Sequence, residues 1–489
     1  MSNTSRRVVI SCLIISTAII LCIGVIGITG VLIFSFYPPT ASEQEVSPPP
    51  DILVTPDNET QPEEPGQPIP QASPEAPLPV ETPSGSAPEA SLPAEITNQM
   101  DEIQAQVVEL RGLEPLASVD RYLLTPEQLR TRVIEDFLED YTPEDARDDA
   151  LVLGVFGLLE PEFNLYDFYV ELLSEQVVGF YDTDTKEMYV IQGSGFSGPE
   201  RLTYAHEYVH ALQDQHYQIE EGLGYNDENC EVNTDYCAAI SSLLEGDASL
   251  SEIQWLYTHA TDQDIRDIQE FYQTYESPIF ESSPSFLRED FIFPYRAGQE
   301  FVETIYDQSG WQGVDQVYAN PPLSTEQILH PERYPDVVPV AVELPDLQNT
   351  LGQGWREVEQ GTWGEWYTYL IMAEGLNEAT RLDPAVAQEA ADGWAGDSYQ
   401  VYSHDQNNQV VLVLRTVWKN ETEAAQFVEE FQEYANARFG PATADGPSTW
   451  RWESGRLFSN LDLDQGVTTW TIAPQIEVIE LMKEALSLP

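Results

Sequence analysis

The first 95 residues fall into two stretches of opposite hydrophobic character. An uncharged apolar run extends from Val8 to about Phe36, directly after Arg6 and Arg7. It exceeds the roughly 20 residues that a helix needs to cross a bilayer, and the positive-inside rule keeps the arginines in the cytoplasm. We therefore expect residues 1–37 to be a cytoplasmic tail and a single-pass cell-membrane anchor, with the rest of the chain extracellular; a cleaved signal peptide is the alternative.

The second stretch, residues 38–95, is polar and rich in proline. It holds sixteen of the 35 prolines, many glutamates, no aromatic residue and no lysine or arginine. A segment of this composition cannot bury enough apolar surface to fold. We interpret it as a disordered, extended linker that holds the next domain away from the membrane.

After the linker the apolar positions become periodic. Met100, Ile103 and Val107 mark one face of a helix, and Thr125 and Thr142, each followed by proline, are typical of helix N-termini. Helical structure is therefore expected up to the first strand signals.

Two β-rich runs, 177–182 and 187–191, flank a polar turn and predict a hairpin. A Gly/Ser loop joins the hairpin to an amphipathic helix over 201–217, and a second helix is predicted from about 238 to 259. A strand beside such a helix can pair with an extended peptide backbone.

The C-terminal region mixes both periodicities. Helices are predicted at 358–378, 422–439 and 476–486, and strands at 397–402, 410–418, 449–452, 455–458 and 467–472. These elements indicate a compact α+β module, whose aromatic residues we interpret as core.

Charge and cysteine content narrow the possible partners and the compartment. The 489 residues carry a formal net charge of −63, with 84 acidic residues against 21 basic ones. A surface this acidic repels nucleic acid, so no nucleic-acid ligand is expected. Cys230 and Cys237 lie in an Asn/Asp-rich segment, where a small disulfide-closed loop is expected in an oxidising compartment.

The most informative motif is His206-Glu207-Tyr208-Val209-His210. Two histidines four apart lie on the same face of a helix, so both imidazoles can bind one zinc ion. The glutamate after the first histidine can take a proton from a zinc-activated water. The pattern therefore predicts a zinc hydrolase with Glu207 as the general base.

The best position for a third zinc ligand is Glu245, in the sequence Leu-Glu-Gly-Asp-Ala of the second helix. A carboxylate would complete a His₂Glu set, which leaves one coordination position open for water. Asp247 is the alternative ligand. The small Gly246 and Ala248 would allow close packing between helices.

A further donor is needed for the tetrahedral oxyanion of acyl transfer. His330, Tyr295 and Arg296 are candidates because they lie in polar segments downstream of the zinc motif. We assign His330 to the predicted catalytic site together with Glu207.

The sequences His206–Tyr217 and Leu244–Ala248 resemble the peptidase MA-like, gluzincin-type zinc metallopeptidases, and especially uncharacterised bacterial members that are membrane-anchored or secreted. Stretches 175–182 and 321–334 are similar to segments of those proteins, and the resemblance covers roughly residues 96–340.

This resemblance implies His206, His210 and Glu245 as zinc ligands and Glu207 as general base. Thermolysin-like gluzincins carry an aspartate four residues after the ligand glutamate, where this chain has Ser249. Asp247 or Asp214 is then expected to orient a ligand histidine.

We thus predict an α+β protein. A mainly helical zincin-like metallopeptidase domain with a small sheet occupies 96–345, and the α+β module occupies 346–489, behind the N-terminal transmembrane helix. The predicted function is hydrolysis of peptide bonds in a peptide or protein substrate with Zn²⁺ as cofactor. Two alternatives are a non-catalytic tethered binding or scaffold protein with a structural or vestigial zinc site, and a zinc hydrolase that acts on another carbonyl.

Overall fold

The structure is a computed structural model that describes residues 19–23, 92–139, 141–192, 195–407, 409–444, 446–455 and 457–488. The helices are α1 (Ala94–Arg111), α2 (Pro126–Arg132), α3 (Pro143–Phe156), α4 (Leu165–Gln176), α5 (Gly198–Tyr217), α6 (Asp227–Cys230), α7 (Thr234–Thr258), α8 (Asp262–Thr274), α9 (Pro278–Ser282), α10 (Ser285–Ala319), α11 (Thr325–Leu329), α12 (Gln348–Leu351), α13 (Gly364–Ala373), α14 (Pro384–Ala391), α15 (Glu421–Phe439) and α16 (Ile476–Ala485).

The strands are β1 (Ile19–Ile23), β2 (Asp120–Leu124), β3 (Val177–Asp182), β4 (Glu187–Ile191), β5 (Trp355–Gly361), β6 (Trp394–His404), β7 (Val410–Trp418), β8 (Thr443–Ala444), β9 (Thr449–Ser454), β10 (Leu457–Asp464) and β11 (Val467–Ala473). The fold is α+β, as predicted.

Helix starts follow the capping chemistry that the sequence indicated. The Thr125 side chain accepts a hydrogen bond from the backbone N–H of Gln128, whose own side chain binds back to the Thr125 N–H. Thr142 and Asp145 form the same reciprocal pair at the start of α3. Because each threonine satisfies N–H groups that a helix leaves open, α2 and α3 begin where they were predicted to begin.

The smaller sheet has four strands in the order β1-β3-β4-β2. The predicted hairpin is confirmed: β3 and β4 pair antiparallel through Gly179–Val190 and Phe180–Tyr189. β2 pairs parallel with β4, and β1 pairs antiparallel with β3. Helix α5 follows β4 along the chain and packs against β3 and β4, so its HExxH residues lie near β3.

The predicted membrane anchor is wrong. Among the described residues, no helix is both long enough and apolar enough to cross a bilayer. Five residues from the middle of the apolar run, Ile19–Ile23, form a strand at the edge of the smaller sheet. A continuous apolar run does not distinguish a helix from a strand, and isoleucine favours the strand. The rest of residues 1–37 and nearly all of the predicted linker lie outside the described residues.

The larger sheet has seven strands in the order β5-β6-β7-β11-β10-β9-β8, and every pair is antiparallel. The strands predicted around 397–402 and 410–418 and the helix at 422–439 are confirmed. The helix predicted over 358–378 is shorter, because β5 extends to Gly361 and α13 begins only at Gly364.

One hydrophobic cluster joins the two parts of the molecule. Phe156 of α3 packs against Trp363, Tyr399 and Trp470, with ring centroids 4.8, 5.8 and 6.0 Å away. The guanidinium of Arg438 donates to the carbonyl oxygens of Val155 and Phe156. The seven-stranded sheet is therefore fixed against the helical part, while the boundary near residue 345 stays a prediction.

Candidate metal centre

Three side chains from two helices converge in the interior of the molecule. His206 and His210 project from one face of α5, and Glu245 projects from α7. Glu245 Oε2 lies 3.2 Å from His206 Nε2 and 3.6 Å from His210 Nε2. One ligand atom from each residue lies within 4.8 Å of the other two. The structure thus brings the three predicted ligands together, and it places Asp247 elsewhere.

Burial sets the electrostatics of this cluster. His206 and His210 have no exposed surface, and Glu245 is 2% exposed. Burial alone would raise the pKa of Glu245, but the adjacent His210 and His206 outweigh it and hold that pKa below the usual range of a glutamate. The two histidines thus favour the ionised form of this carboxyl group, which is the form that binds a metal ion.

Each histidine is oriented by a hydrogen bond at its Nδ1 atom. His206 Nδ1 lies 2.9 Å from Glu252 Oε2, and His210 Nδ1 lies 2.8 Å from Gln213 Oε1. The Gln213 amide in turn donates to the carbonyl oxygen of Leu244, one residue before Glu245. An Nδ1–H donated to these oxygens leaves the lone pair of Nε2 directed at the ligand cluster.

Sequence reasoning missed both orienting residues. Asp214 instead accepts hydrogen bonds from Tyr181 and Lys186. Asp247 binds Arg111 through two hydrogen bonds of 2.7 and 3.1 Å. The spacing along the helix could have indicated Glu252. It follows Glu245 by seven residues, or two helical turns, and therefore lies on the same face of the helix.

Glu207 lies beside strand β3. Its side chain is fully buried, and a Cβ added to Gly179 would lie 3.4 Å from Glu207 Cγ and 2.6 Å from Thr203 Cγ2. Only glycine at position 179 allows β3 to run this close to α5. The strand backbone at Gly179 and the predicted general base therefore lie side by side.

Helix α7 is held in place by a glycine contact and by a buried ion network. A Cβ on Gly246 would lie 2.1 Å from the Gly298 carbonyl oxygen of α10.

An ion network lies next to this glycine contact. Arg111 binds Asp247 and also Asp315, which is 2.8 Å away. Tyr318 donates a hydrogen bond of 2.8 Å to Asp247. These contacts fix the register of α7 and, with it, the position of Glu245. Gly246 therefore allows α7 to pack closely against α10, not against α5.

The candidate oxyanion donors do not join the ligand cluster. His330 Nε2 lies 2.7 Å from Glu365 Oε1 and 3.2 Å from Asp392 Oδ1, in a separate group of charged residues. Tyr295 is buried in the hydrophobic core, and Arg296 forms an ion pair with Glu289. The structure therefore gives His330 different partners from those that its predicted catalytic role requires.

The ligand cluster fits a zinc ion. Two imidazoles and one carboxylate are a standard catalytic zinc set, with three protein ligands and one open position. Within the described residues, the buried Nε2 atom of His210 has no hydrogen-bond partner. A cation at the common point of the three side chains would satisfy that nitrogen and compensate the buried carboxylate.

Comparison with known proteins concerns the C-terminal part. Residues 349–482 match a family described as "Domain of unknown function (DUF8575)". The match extends from just before β5 into α16, so it covers the seven-stranded sheet and includes none of the three ligands. No curated protein matches the chain, and no solved structure matches it.

Proposed function

We propose that the protein is a zinc-dependent peptidase with a zincin-like arrangement in its helical part. The observation that supports this most is the convergence of His206, His210 and Glu245, with Glu207 on the same helix as two of them. Glu252 and Gln213 orient the two histidines. The third ligand and the two orienting partners support the proposal beyond the HExxH match itself.

Zinc, when bound by these three side chains, supplies a Lewis acid that acidifies water and polarises a carbonyl group. Glu207 accepts the proton of the attacking water through its carboxylate and later donates it to the leaving amine. Glu252 and Gln213 keep the two imidazole rings in one tautomer throughout. The buried position of Glu207 limits contact with bulk water.

Strand β3 offers a way to hold a peptide. Its backbone passes beside Glu207 at Gly179, and an extended peptide can pair with such a strand through backbone hydrogen bonds, here on the side where β1 pairs. Since these bonds involve no substrate side chain, this mode suits peptides and unfolded segments of proteins. We therefore propose a peptide or protein substrate.

The main alternative is a scaffold protein with structural zinc. Structural zinc sites are closed by four protein ligands. Among the described residues, the cluster supplies three histidine or acidic ligands, and the orienting bonds already engage Glu252. The three-ligand set favours the enzyme.

The decisive experiment measures zinc content and peptide cleavage for the full chain and for Glu207→Gln. We expect one zinc per chain in both proteins and a loss of cleavage of about 10²–10⁴-fold in the variant, because only the proton acceptor is removed. Zinc is measured by elemental mass spectrometry and cleavage with a proteome-derived peptide library.

Glu228→Gln, at an exposed position near α7, is the matched control and should behave as wild type. Bound zinc with equal cleavage by wild type and Glu207→Gln would disprove the mechanism. Absence of zinc would disprove the metal assignment.

A further inference from the structure

Two buried carboxyl groups lie where the helical part of the molecule meets the seven-stranded sheet. Asp149 of α3 is 3% exposed, and Glu359 of β5 is 8% exposed. Helix α3 packs against β5, and the charge of Glu359 acts on Asp149 across this contact. Each part of the molecule therefore contributes one acidic group to the same buried contact.

Each of these carboxyl groups accepts a hydrogen bond from a tyrosine hydroxyl. Tyr141 donates to Asp149 Oδ2 over 2.7 Å, and Tyr399 of β6 donates to Glu359. Among the described residues, neither carboxyl group forms an ion pair with lysine, arginine or histidine. Because a buried carboxylate without a cation is costly, the contact favours protonated groups.

The surroundings of the pair add negative charge. The other titratable groups that face it are Tyr141, Asp145, Asp148, Tyr169 and Tyr399. Arg356 lies on the same strand as Glu359, but its guanidinium donates two hydrogen bonds to Asp148. Its charge is therefore neutralised by a carboxylate outside the pair.

A surface groove runs beside the contact. It has a volume of about 610 Å³, and its lining includes Asp148 of α3, Arg356 of β5 and Ser403 of β6. Because Asp148 directly precedes Asp149, solvent reaches to within one residue of the pair. Protons can therefore exchange with the medium while the protein stays folded.

We infer that Asp149 and Glu359 form a pH-sensitive contact, which holds the helical part against the seven-stranded sheet in acidic and neutral surroundings and loosens in alkaline ones. Loss of the protons places two like charges in one buried site, and their repulsion opposes the packing of α3 on β5. The inference does not depend on the metal centre or on the proposed peptidase function.

The direction of the pH effect follows from the ionisation of the pair. Burial raises the pKa of Glu359 from 4.5 to about 7. Burial and the charge of Glu359 hold the pKa of Asp149 well above its ordinary 3.8. Since a raised folded-state pKa means that the folded chain binds more protons, the contact loses stability as pH rises from 4.5 to about 7, and it stays weak above that pH.

The test measures amide hydrogen exchange of α3 and β5 in the full chain at about pH 5 and about pH 8, corrected for the intrinsic exchange rates. In wild type, the opening equilibrium of both segments should increase about tenfold or more at the higher pH, because one unit of pKa shift corresponds to a factor of ten. Glu359→Gln keeps an acceptor for Tyr399 but cannot ionise, so it should reduce this increase by about threefold or more. Glu453→Gln, at an exposed position on β9, is the matched control and should show the wild-type increase.

Tyr399→Phe gives a prediction of opposite sign that does not require Glu359→Gln to fold. It removes a hydrogen bond from the Glu359 carboxylate, so ionisation becomes more costly and the increase should exceed that of wild type. Equal increases in wild type and Glu359→Gln, or a smaller increase in Tyr399→Phe, would overturn the inference. An increase of the same size in every helix would indicate a general effect of the net charge of −63, and it would overturn the inference as well.

Discussion

Two clusters in this protein present the same kinds of metal-binding atoms and differ in the charges around them. The first is His206, His210 and Glu245, and the second is His330, Glu365 and Asp392. In each, one atom from every residue lies within 4.8 Å of the others. Ligand type and spacing alone therefore do not distinguish them.

The second cluster already contains cations. Arg333 binds Asp392 and lies 3.3 Å from Glu326, and Lys419 Nζ lies 2.7 Å from the same glutamate. These permanent charges neutralise the carboxylates and repel a divalent ion. In the described part of the chain, neither Glu245 nor Glu252 forms an ion pair with lysine or arginine. A buried carboxylate with histidines but no fixed cation indicates a metal site, and one with fixed cations indicates a salt-bridge network.

The sharpest test of this distinction is to remove one histidine from each cluster. His210→Asn should weaken zinc binding by more than about 100-fold, because it deletes a direct ligand. His330→Asn should leave zinc stoichiometry and affinity unchanged. Competition with a fluorescent chelator measures both affinities. If His330→Asn also released zinc, the two clusters could not be told apart by their counter-charges.

A smaller effect is expected from the orienting residues of the first cluster. Glu252→Gln should weaken zinc binding by about 10–100-fold, since the hydrogen bond that fixes the His206 ring loses its charge. Ser249→Ala is the matched control, because Ser249 lies on the same helix where thermolysin-like enzymes have aspartate. It should change affinity less than twofold. A larger loss in Ser249→Ala than in Glu252→Gln would show that the assignment to Glu252 is wrong.

The smallest expected effect concerns acid stability of the second cluster. Partial burial would raise the pKa of Asp392, but its hydrogen bond to Arg333 and the charges of Arg333, His330 and Lys419 lower it below the ordinary 3.8. Because the folded-state pKa is depressed, the stabilisation is present above pH 3.8 and is lost as pH falls through the folded-state value.

Asp392→Asn should therefore lower Tm by about 2 °C at pH 7. In a thermal-melt series over pH 3–7, the difference from wild type should begin to shrink as pH falls below 3.8. Zinc affinity at pH 7 should be unchanged, which again separates the two clusters. A Tm difference that persists unchanged at low pH would contradict the charge network.

The grouping of His206, His210 and Glu245 was largely predictable because the information that specifies it is local in the sequence. HExxH fixes two ligands through helical periodicity, and Glu245 was found because its neighbours Leu244, Gly246 and Ala248 predict a packed helix. Glu252 was missed because an acidic residue two turns from a ligand has no special sequence signature in a chain with 84 acidic residues. Only the packing of α5 on α7 distinguishes it.

Predictions that depended on long-range placement did less well. His330 was assigned to the catalytic site on polarity, but its actual partners, Glu365 and Asp392, are 35 and 62 residues away along the chain. Neither β2 nor β4 has a sequence feature that predicts their parallel pairing. Ile19–Ile23 show the same problem, since an apolar run suits a membrane helix and a sheet edge equally well until its partner is known.

The contact between Gly246 and Gly298 limits how this protein can diverge. A Cβ on Gly298 would lie 2.0 Å from the Ser242 carbonyl oxygen, as close as the reverse contact from Gly246. Neither residue carries a ligand atom, yet a side chain at either one would separate α7 from α10 and displace Glu245, one residue away. If the proposed activity is present, random mutagenesis with selection for it should therefore recover almost no substitution at these two positions. Changes in the α7–α10 interface would then be limited by the need to keep Glu245 beside the two histidines.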